Sequence, residues 1–337
     1  MKAIGYQHSL TIAHPESLVD ITLGDPVCQG RDLLVEVRAI AANPVDTKVR
    51  KRAEPPAGAW KVLGWDAAGV VRGVGPEVSL FQPGDRVWYA GDLTRQGSNA
   101  ERQLVDERLV GRMPTRLDFA QAAALPLTTI TAWEMLFDRL ELTPGKRPTD
   151  AVLLIIGAAG GVGSIMIQLA RRLTSTTVIG TASRPETQAW VRSMGAHQVI
   201  DHSQPLRQGL EQIGISTVSH VVSLNQTDQH FAEIVEVIAP QGRFGLIDDP
   251  ESLDVTQLKR KSVSLHWEFM FTRSMFQTQD QISQHLLLNE VADLVDAGLI
   301  RTTLGEHFGR IDAANLRRAH GVIESGKARG KIVLEGF

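Results

Sequence analysis

Cysteine is nearly missing from this chain: among 337 residues there is one, Cys28. An internal disulfide is thereby excluded, and with it any cysteine-rich metal cluster. An excess of one charge is missing as well. The chain sets 35 basic against 38 acidic residues for a net charge of −3, so no global field recruits nucleic acid or an anionic membrane. No uncharged apolar run approaches the ~20 residues that span a bilayer. The opening Met1-Lys2-Ala3-Ile4 reads as a strand, not as a charged lead before an apolar signal core, and the expected location is the cytosol. Internal repeats and low-complexity tracts are also lacking. What is present is apolar material: hydrophobic residues make up 43%, and this length suggests two domains with ample core.

The most informative stretch is Ile155-Ile156-Gly157-Ala158-Ala159-Gly160-Gly161-Val162-Gly163. An apolar strand candidate (151–156) leads into it. Beyond it Val162, Ile165, Met166, Leu169 and Leu173 draw one face of a helix. A strand, glycine turn and helix in that order set backbone N–H groups at a helix N-terminus, where a phosphate is stabilised. Glycines there let a pyrophosphate approach the main chain and let helix and strand pack closely. The spacing is G-x-x-G-x-x-G, through Gly157, Gly160 and Gly163, and points to a dinucleotide site.

The next strand candidate, 177–182, closes the βαβ unit within about 30 residues. A site for NAD usually carries an acid at that strand's end. Here the chain reads Ser183-Arg184-Pro185, and a hydroxyl beside a guanidinium suits a 2′-phosphate. NADPH is expected over NADH; the plainer reading of Arg184 is an exposed loop cation. Further strands are expected at 198–200, 218–223, 243–247 and 263–266, with helices at 186–194 and 231–238. This alternation predicts an α/β, doubly wound parallel sheet of Rossmann type. Residues 1–124 look different, with short alternating runs such as Leu34-Val35-Glu36-Val37-Arg38-Ala39-Ile40 and turns such as Pro83-Gly84-Asp85, an all-β pattern. A long helix (279–297) and a strand (331–334) follow. The expected partition is 1–124 for the first part of a β domain, 125–267 for the nucleotide domain, and 268–337 for the return. The tail would rejoin the first part and leave the cleft between the halves.

Five segments, Asn43-Pro44-Val45-Asp46-Thr47, Leu63-Gly64-Trp65-Asp66-Ala67-Ala68-Gly69-Val70-Val71, Pro83-Gly84-Asp85-Arg86-Val87, Ala122-Ala123-Ala124-Leu125-Pro126 and the glycine run, occur in one order, followed by Gly330-Lys331-Ile332-Val333-Leu334. Taken together they resemble the medium-chain dehydrogenase/reductase superfamily. Within it the chain is similar to the quinone oxidoreductase-like, zinc-free branch, often labelled zinc-type alcohol dehydrogenase-like. The resemblance implies a Rossmann domain inserted in a GroES-like β-barrel catalytic domain, and a homodimer formed by extending the nucleotide sheet across its edge. It places Asn43 and Thr131 beside the nicotinamide, as ring holders or donors toward substrate. Lys48 stands where several relatives carry a tyrosine facing the substrate; it either donates to a carbonyl or stands solvated. Main-chain contacts to the pyrophosphate fall to Ala159, Gly160, Gly161 and Val162. The resemblance puts His202 near the 2′-phosphate, Leu224 and Asn225 along the nicotinamide side, and Lys331 as a tail lysine that reaches the cofactor.

The departures from the family pattern are equally informative. Zinc-dependent relatives carry a Cys near the Asn43 segment and a Gly-His-Glu where this chain has Gly64-Trp65-Asp66. Trp65 replaces an imidazole ligand, and one carboxylate does not make a zinc site. No metal is expected. Without a Lewis acid to stabilise an alkoxide, the accessible task is reduction of an activated acceptor, either a quinone or an α,β-unsaturated carbonyl (enal or enone). Protein work is then alignment and hydrogen bonding. The expected function is hydride transfer from NADPH to such a small molecule. Two readings stand beside it: a nucleotide-binding sensor or structural protein with little turnover, and a zinc-dependent alcohol dehydrogenase. The basic stretch Lys48, Arg50, Lys51, Arg52 to Lys61, with Trp60, is expected to be a surface loop rather than a nucleic-acid contact.

Overall fold

The computed structural model describes residues 1–337 and resolves into two compact units, Met1–Ile130 with Phe271–Phe337, and Thr131–Met270. In chain order unit 1 begins with β1 (Lys2–Tyr6), β2 (Val19–Thr22), β3 (Asp32–Ala42), α1 (Pro44–Arg52), β4 (Lys61–Val62), β5 (Ala67–Val74), β6 (Arg86–Tyr89), β7 (Arg102–Asp106), β8 (Val110–Arg112), α2 (Phe119–Ala123) and the start of α3 (Pro126–Trp133). Strand β3 shows why this half is β. Leu33, Val35, Val37 and Ala39 are buried while Glu36 and Arg38 face outward, the period-two pattern of a half-buried strand. The unit boundary falls inside α3, after Ile130, and not at residue 125. Pro126 begins this helix and does not separate domains, since proline fits a first helical turn.

Unit 2 runs through β9 (Val152–Ile156), α4 (Gly161–Leu173), β10 (Thr177–Thr181), α5 (Pro185–Ser193), β11 (Gln198–Ile200), α6 (Leu206–Gln212), β12 (Val218–Ser223), α7 (Thr227–Val237), β13 (Ile238–Leu246) and β14 (Ser264–Trp267). All six strands pair in parallel, in the order β11-β10-β9-β12-β13-β14. This is the doubly wound order, whose ligand crevice lies at the carboxyl ends of the strands where the winding reverses, here beyond β9. Strand β9 is almost wholly apolar because both its faces are covered; Leu153, Leu154, Ile155 and Ile156 are fully buried. Helix α4 turns Ile165, Met166 and Leu169 into the core. Strand β13 starts at Ile238, ahead of the expected 243, and α7 ends one residue earlier than expected. Ala239 precedes Pro240, which disfavours helical backbone there.

Unit 1 resumes with α8 (Thr272–Met275), α9 (Ser283–Asp296), β15 (Leu304–His307), α10 (Ala313–Glu324) and β16 (Lys331–Glu335). Strand β16 pairs antiparallel with β3, Ile332 opposite Ala42, and joins the sheet β15-β16-β3-β5-β6-β8, with β7 also on β3. A second sheet holds β2-β1-β4. No helix is long and apolar enough to cross a membrane.

The basic stretch from Lys48 differs from its expected loop. Its first residues lie on α1, started by Asn43 at the N-cap, Pro44, and the Asn43 N–H donating to Asp46 Oδ2 at 2.6 Å. Arg50 is fully buried, donating to Leu10 O and pairing with Glu324. Arg50 is thereby withdrawn from the surface, while Lys51 and Arg52 stay exposed.

Candidate functional site

The glycine turn after β9 leaves no room for a side chain at two of its positions. Gly157 has φ +80°, backbone that a side chain rarely adopts, and a Cβ there would meet Asn225 Oδ1 at 2.4 Å. A Cβ on Gly163 would meet Ala158 O at 2.5 Å and Ala158 Cα at 2.6 Å, so only glycine lets α4 close on the turn after β9. Gly160, the N-cap of α4, has no side chain to cap the helix. The N–H groups of Gly161, Val162 and Gly163 therefore have no intrahelical acceptor. The structure also brings Leu224 and Asn225, after β12, against Gly157, with the Leu224 N–H donating to Ile156 O at 3.2 Å.

Around this turn the ends of the neighbouring strands carry polar groups. At the end of β10, the Thr181 hydroxyl accepts from the Gly157 N–H at 3.2 Å and lies 2.9 Å from His202 Nδ1. The His202 ring meets His230 edge-on, with centroids 5.8 Å apart. Burial first, and His230 second, hold His202 below the usual imidazole range, which favours a neutral ring. Ser183 is exposed. Arg184 caps α5, its N–H donating to Thr187 Oγ1 at 3.3 Å and its Nε 3.0 Å from Glu186 Oε1.

A second cluster lies inside unit 1. Lys331 Nζ donates to Ala42 O at 3.1 Å, to Asp66 Oδ2 at 2.8 Å and to Asn43 Oδ1. Asn43 Nδ2 donates to Asp66 Oδ2 at 2.9 Å, and the Leu127 N–H, at the start of α3, donates to Asp66 Oδ1 at 2.7 Å. Asn43, Asp66 and Lys331 are all buried. Burial is the largest influence on Asp66 and raises its acid, while Lys331 opposes it. Asp46 is pushed up to about 7, again chiefly by burial. The amide of Asn43 is thus engaged within unit 1, and Lys331 is turned inward onto Ala42 at the end of β3 and Asp66 just ahead of β5. Thr131 lies buried on α3 and Lys48 half-buried on α1.

Sequence reasoning did not single out a buried acid pair in unit 2. Glu268 directly follows β14 and is fully buried, with Arg139 Nε 2.8 Å from its Oε2. Burial and then the neighbouring Glu134 raise its acid well above the carboxylate range. The signal was available: Glu268 is the one charge in Trp267-Glu268-Phe269-Met270-Phe271. Asp248 was passed over as well. It accepts from the Thr227 N–H at 2.9 Å and from its hydroxyl, tying the loop after β13 to the first residue of α7.

A zinc centre does not fit these residues. No three His, Cys, Asp or Glu side chains converge to hold a metal ion. Trp65 donates its indole N–H to Asp92 O at 3.1 Å, and Asp66 is taken up by Lys331. A dinucleotide does fit, since the turn after β9 offers unclaimed N–H donors with no Cβ in their way.

Fold and turn together are those of the nucleotide-binding oxidoreductases, built from a β domain and a doubly wound domain. Residues 29–122 match the alcohol dehydrogenase GroES-like domain, and residues 194–334 match a zinc-binding dehydrogenase domain. A zinc-type alcohol dehydrogenase-like protein of Staphylococcus aureus (strain MSSA476) is 38% identical over 337 residues, covering 99% of both chains. A quinone oxidoreductase of Pseudomonas aeruginosa is 31% identical over 312 residues, covering 90% of this chain and 91% of that one. A crystal structure from Rhizobium etli CFN 42, assigned provisionally to the zinc-dependent alcohol dehydrogenases, superposes with TM-score 0.96 at 56% identity, covering 100% of this chain and 98% of that one. The chain belongs to the medium-chain dehydrogenase/reductase superfamily, in its quinone oxidoreductase-like branch.

Proposed function

We propose that this protein is an NADPH-dependent reductase that passes hydride to a quinone or a conjugated enal or enone without zinc. The observation that carries the reading is the turn after β9, where Gly157 and Gly163 tolerate no side chain and the first N–H groups of α4 stand uncapped. Bound NADPH supplies the hydride. The N–H groups of Gly161, Val162 and Gly163, with the main chain of Ala159 and Gly160, hold its pyrophosphate. Ser183 and Arg184 take the 2′-phosphate, where an acid would repel it. His202 assists by lending a hydrogen bond near the same group. Thr131 and Lys48 are the donors assigned to the acceptor carbonyl, and Leu224 and Asn225 wall the turn. Asn43 and Lys331, engaged with Asp66, are assigned to support. The quinone oxidoreductase relative favours a quinone acceptor. We read the open edge at β14, with Trp267 53% exposed, as the seam of a homodimer.

The test pairs a panel of quinones and enals, followed at the NADPH absorbance band, with titrations of NADPH and NADH. Arg184→Ala is expected to weaken NADPH about tenfold or more and leave NADH nearly unchanged, because hydrogen bonds to charged groups are worth about 1.5–3 kcal/mol. Equal loss for both coenzymes would overturn the 2′-phosphate assignment. Binding with no consumption across the panel would overturn the reductase.

A further inference from the structure

We propose that the Asp66 cluster is a cation site filled by the chain's own ammonium, with Lys331 acting as a positioning residue in the place a metal ion would occupy. This rests on the zinc-free reading above. All three N–H bonds of the Lys331 ammonium are used, on Ala42 O, Asn43 Oδ1 and Asp66 Oδ2. These acceptors are a backbone carbonyl, a carboxamide oxygen and a carboxylate, the oxygen set that binds a hard cation. The cage is closed to bulk solvent, with Lys331 3% exposed, Asp66 0% and Asn43 1%. A lone carboxylate so buried needs a paired charge, and no second cation donates to Asp66.

The ammonium also organises its surroundings. Its bond to Asn43 Oδ1 fixes which way the carboxamide points, leaving Nδ2 for Asp66 Oδ2 at 2.9 Å. The other carboxylate oxygen then receives the Leu127 N–H at 2.7 Å and anchors the first turn of α3, the helix that carries Thr131. One further acid faces the cluster: Asp46 on α1, whose ionisation Lys331 favours and Asp66 opposes. Losing the ammonium would leave two buried acids without a counter-charge, and both would hold their protons to higher pH.

Lys331→Ala empties the cage of everything beyond Cβ and leaves room for a primary alkylammonium. The expected result is a lower melting temperature that rises saturably with propylammonium chloride. Neither 1-propanol nor sodium chloride at equal ionic strength should raise it. Turnover of NADPH with the best quinone, reduced roughly ten- to a hundredfold by misplacement, should recover over the same propylammonium range. If Lys331→Ala does not fold, the pair Lys331→Met and Lys331→Met with Asp66→Asn decides the matter. The double variant should melt above the single one, because removing both charges spares the lone carboxylate. A Lys331→Ala protein that melts like the wild type, a rescue reproduced by 1-propanol or sodium chloride, no rescue at all, or a double variant melting at or below Lys331→Met would each overturn the proposal. Metal analysis of the wild type separates the two readings. Stoichiometric zinc sinks the zinc-free reading, whereas zinc-free protein without rescue sinks only the ammonium site.

Discussion

Gly160 and Gly163, two of the three glycines at the head of α4, should fail in different ways when each gains a methyl group. In Gly163→Ala the new Cβ meets three backbone atoms of Ala158 at 2.5–2.7 Å, and none of these can swing aside as a side-chain tip would. Overpacking of this kind costs about 1–3 kcal/mol, and replacing a helical glycine returns at most about 1 kcal/mol. With unyielding backbone the upper end of that cost applies, and a net loss of about 2 kcal/mol corresponds to an apparent melting temperature lower by roughly 4–8 °C. In Gly160→Ala the new Cβ has one neighbour, Gly157 O at 3.5 Å, an ordinary contact, and φ is −74°. That variant should melt closer to the wild type. Its methyl group would instead stand where a pyrophosphate comes down on the N–H groups of Gly161 and Val162. A loss of about 1.4 kcal/mol in binding, or tenfold in Kd, is the expected size. Thermal melts and fluorescence titration with NADPH on the three proteins check both halves. Unchanged NADPH affinity in Gly160→Ala, or a Gly163→Ala protein melting with the wild type, would refute the assignment of roles.

Two further predictions concern buried acids. Asp46 keeps its proton up to about pH 7 in the folded chain against an ordinary value of 3.8, so between these values the native state binds more protons than the unfolded one. Stability therefore falls as pH rises through that window, and the full cost, on the order of 4 kcal/mol, is present above pH 7. Asp46→Asn keeps an oxygen for the Asn43 N–H and should gain stability relative to wild type at pH 8 more than at pH 5 in urea melts; an equal difference at both pH values would count against it. Glu268, raised in the same direction by burial and Glu134, should tolerate Gln near neutrality, because the amide mimics a protonated carboxyl. A loss of more than about 3 kcal/mol in Glu268→Gln, the signature of a broken buried ion pair, would show that the carboxylate is charged there.

The nucleotide half was readable because its signals are local. The run after Ile156 names a turn by glycines that each have a steric reason, and the apolar strand before it is buried on both faces, so neither needs distant contacts to be recognised. Strand ends were less legible: β13 starts at Ile238, ahead of the expected 243, with Pro240 inside it. Unit 1 was harder, because its polar core is assembled from residues far apart in sequence: Asn43 and Asp66 are 23 positions apart, and Asp66 and Lys331 are 265. Local chemistry reads Asn43 as a turn residue before proline and Lys331 as a strand-edge charge. Only pairing β16 with β3 brings the ammonium to the carboxamide. Helix α1 escaped for a different reason. Its basic residues hide its apolar face, since Arg50 is turned inward onto Glu324 while Lys51 and Arg52 face out.

The order in which the chain is synthesised bears on how unit 1 closes. Unit 2 is one uninterrupted segment whose strand pairings all close within its own residues, so it can form while the rest is still being made. Unit 1 must wait, since β3 stays without one of its flanking strands until residues 331–335 exist to pair with it. Closing so long a span slows assembly and leaves a sheet edge open in the meantime. A nascent chain stalled just short of Lys331 should therefore yield a protease-resistant fragment covering unit 2, while the first hundred residues remain open to cleavage and to chaperones.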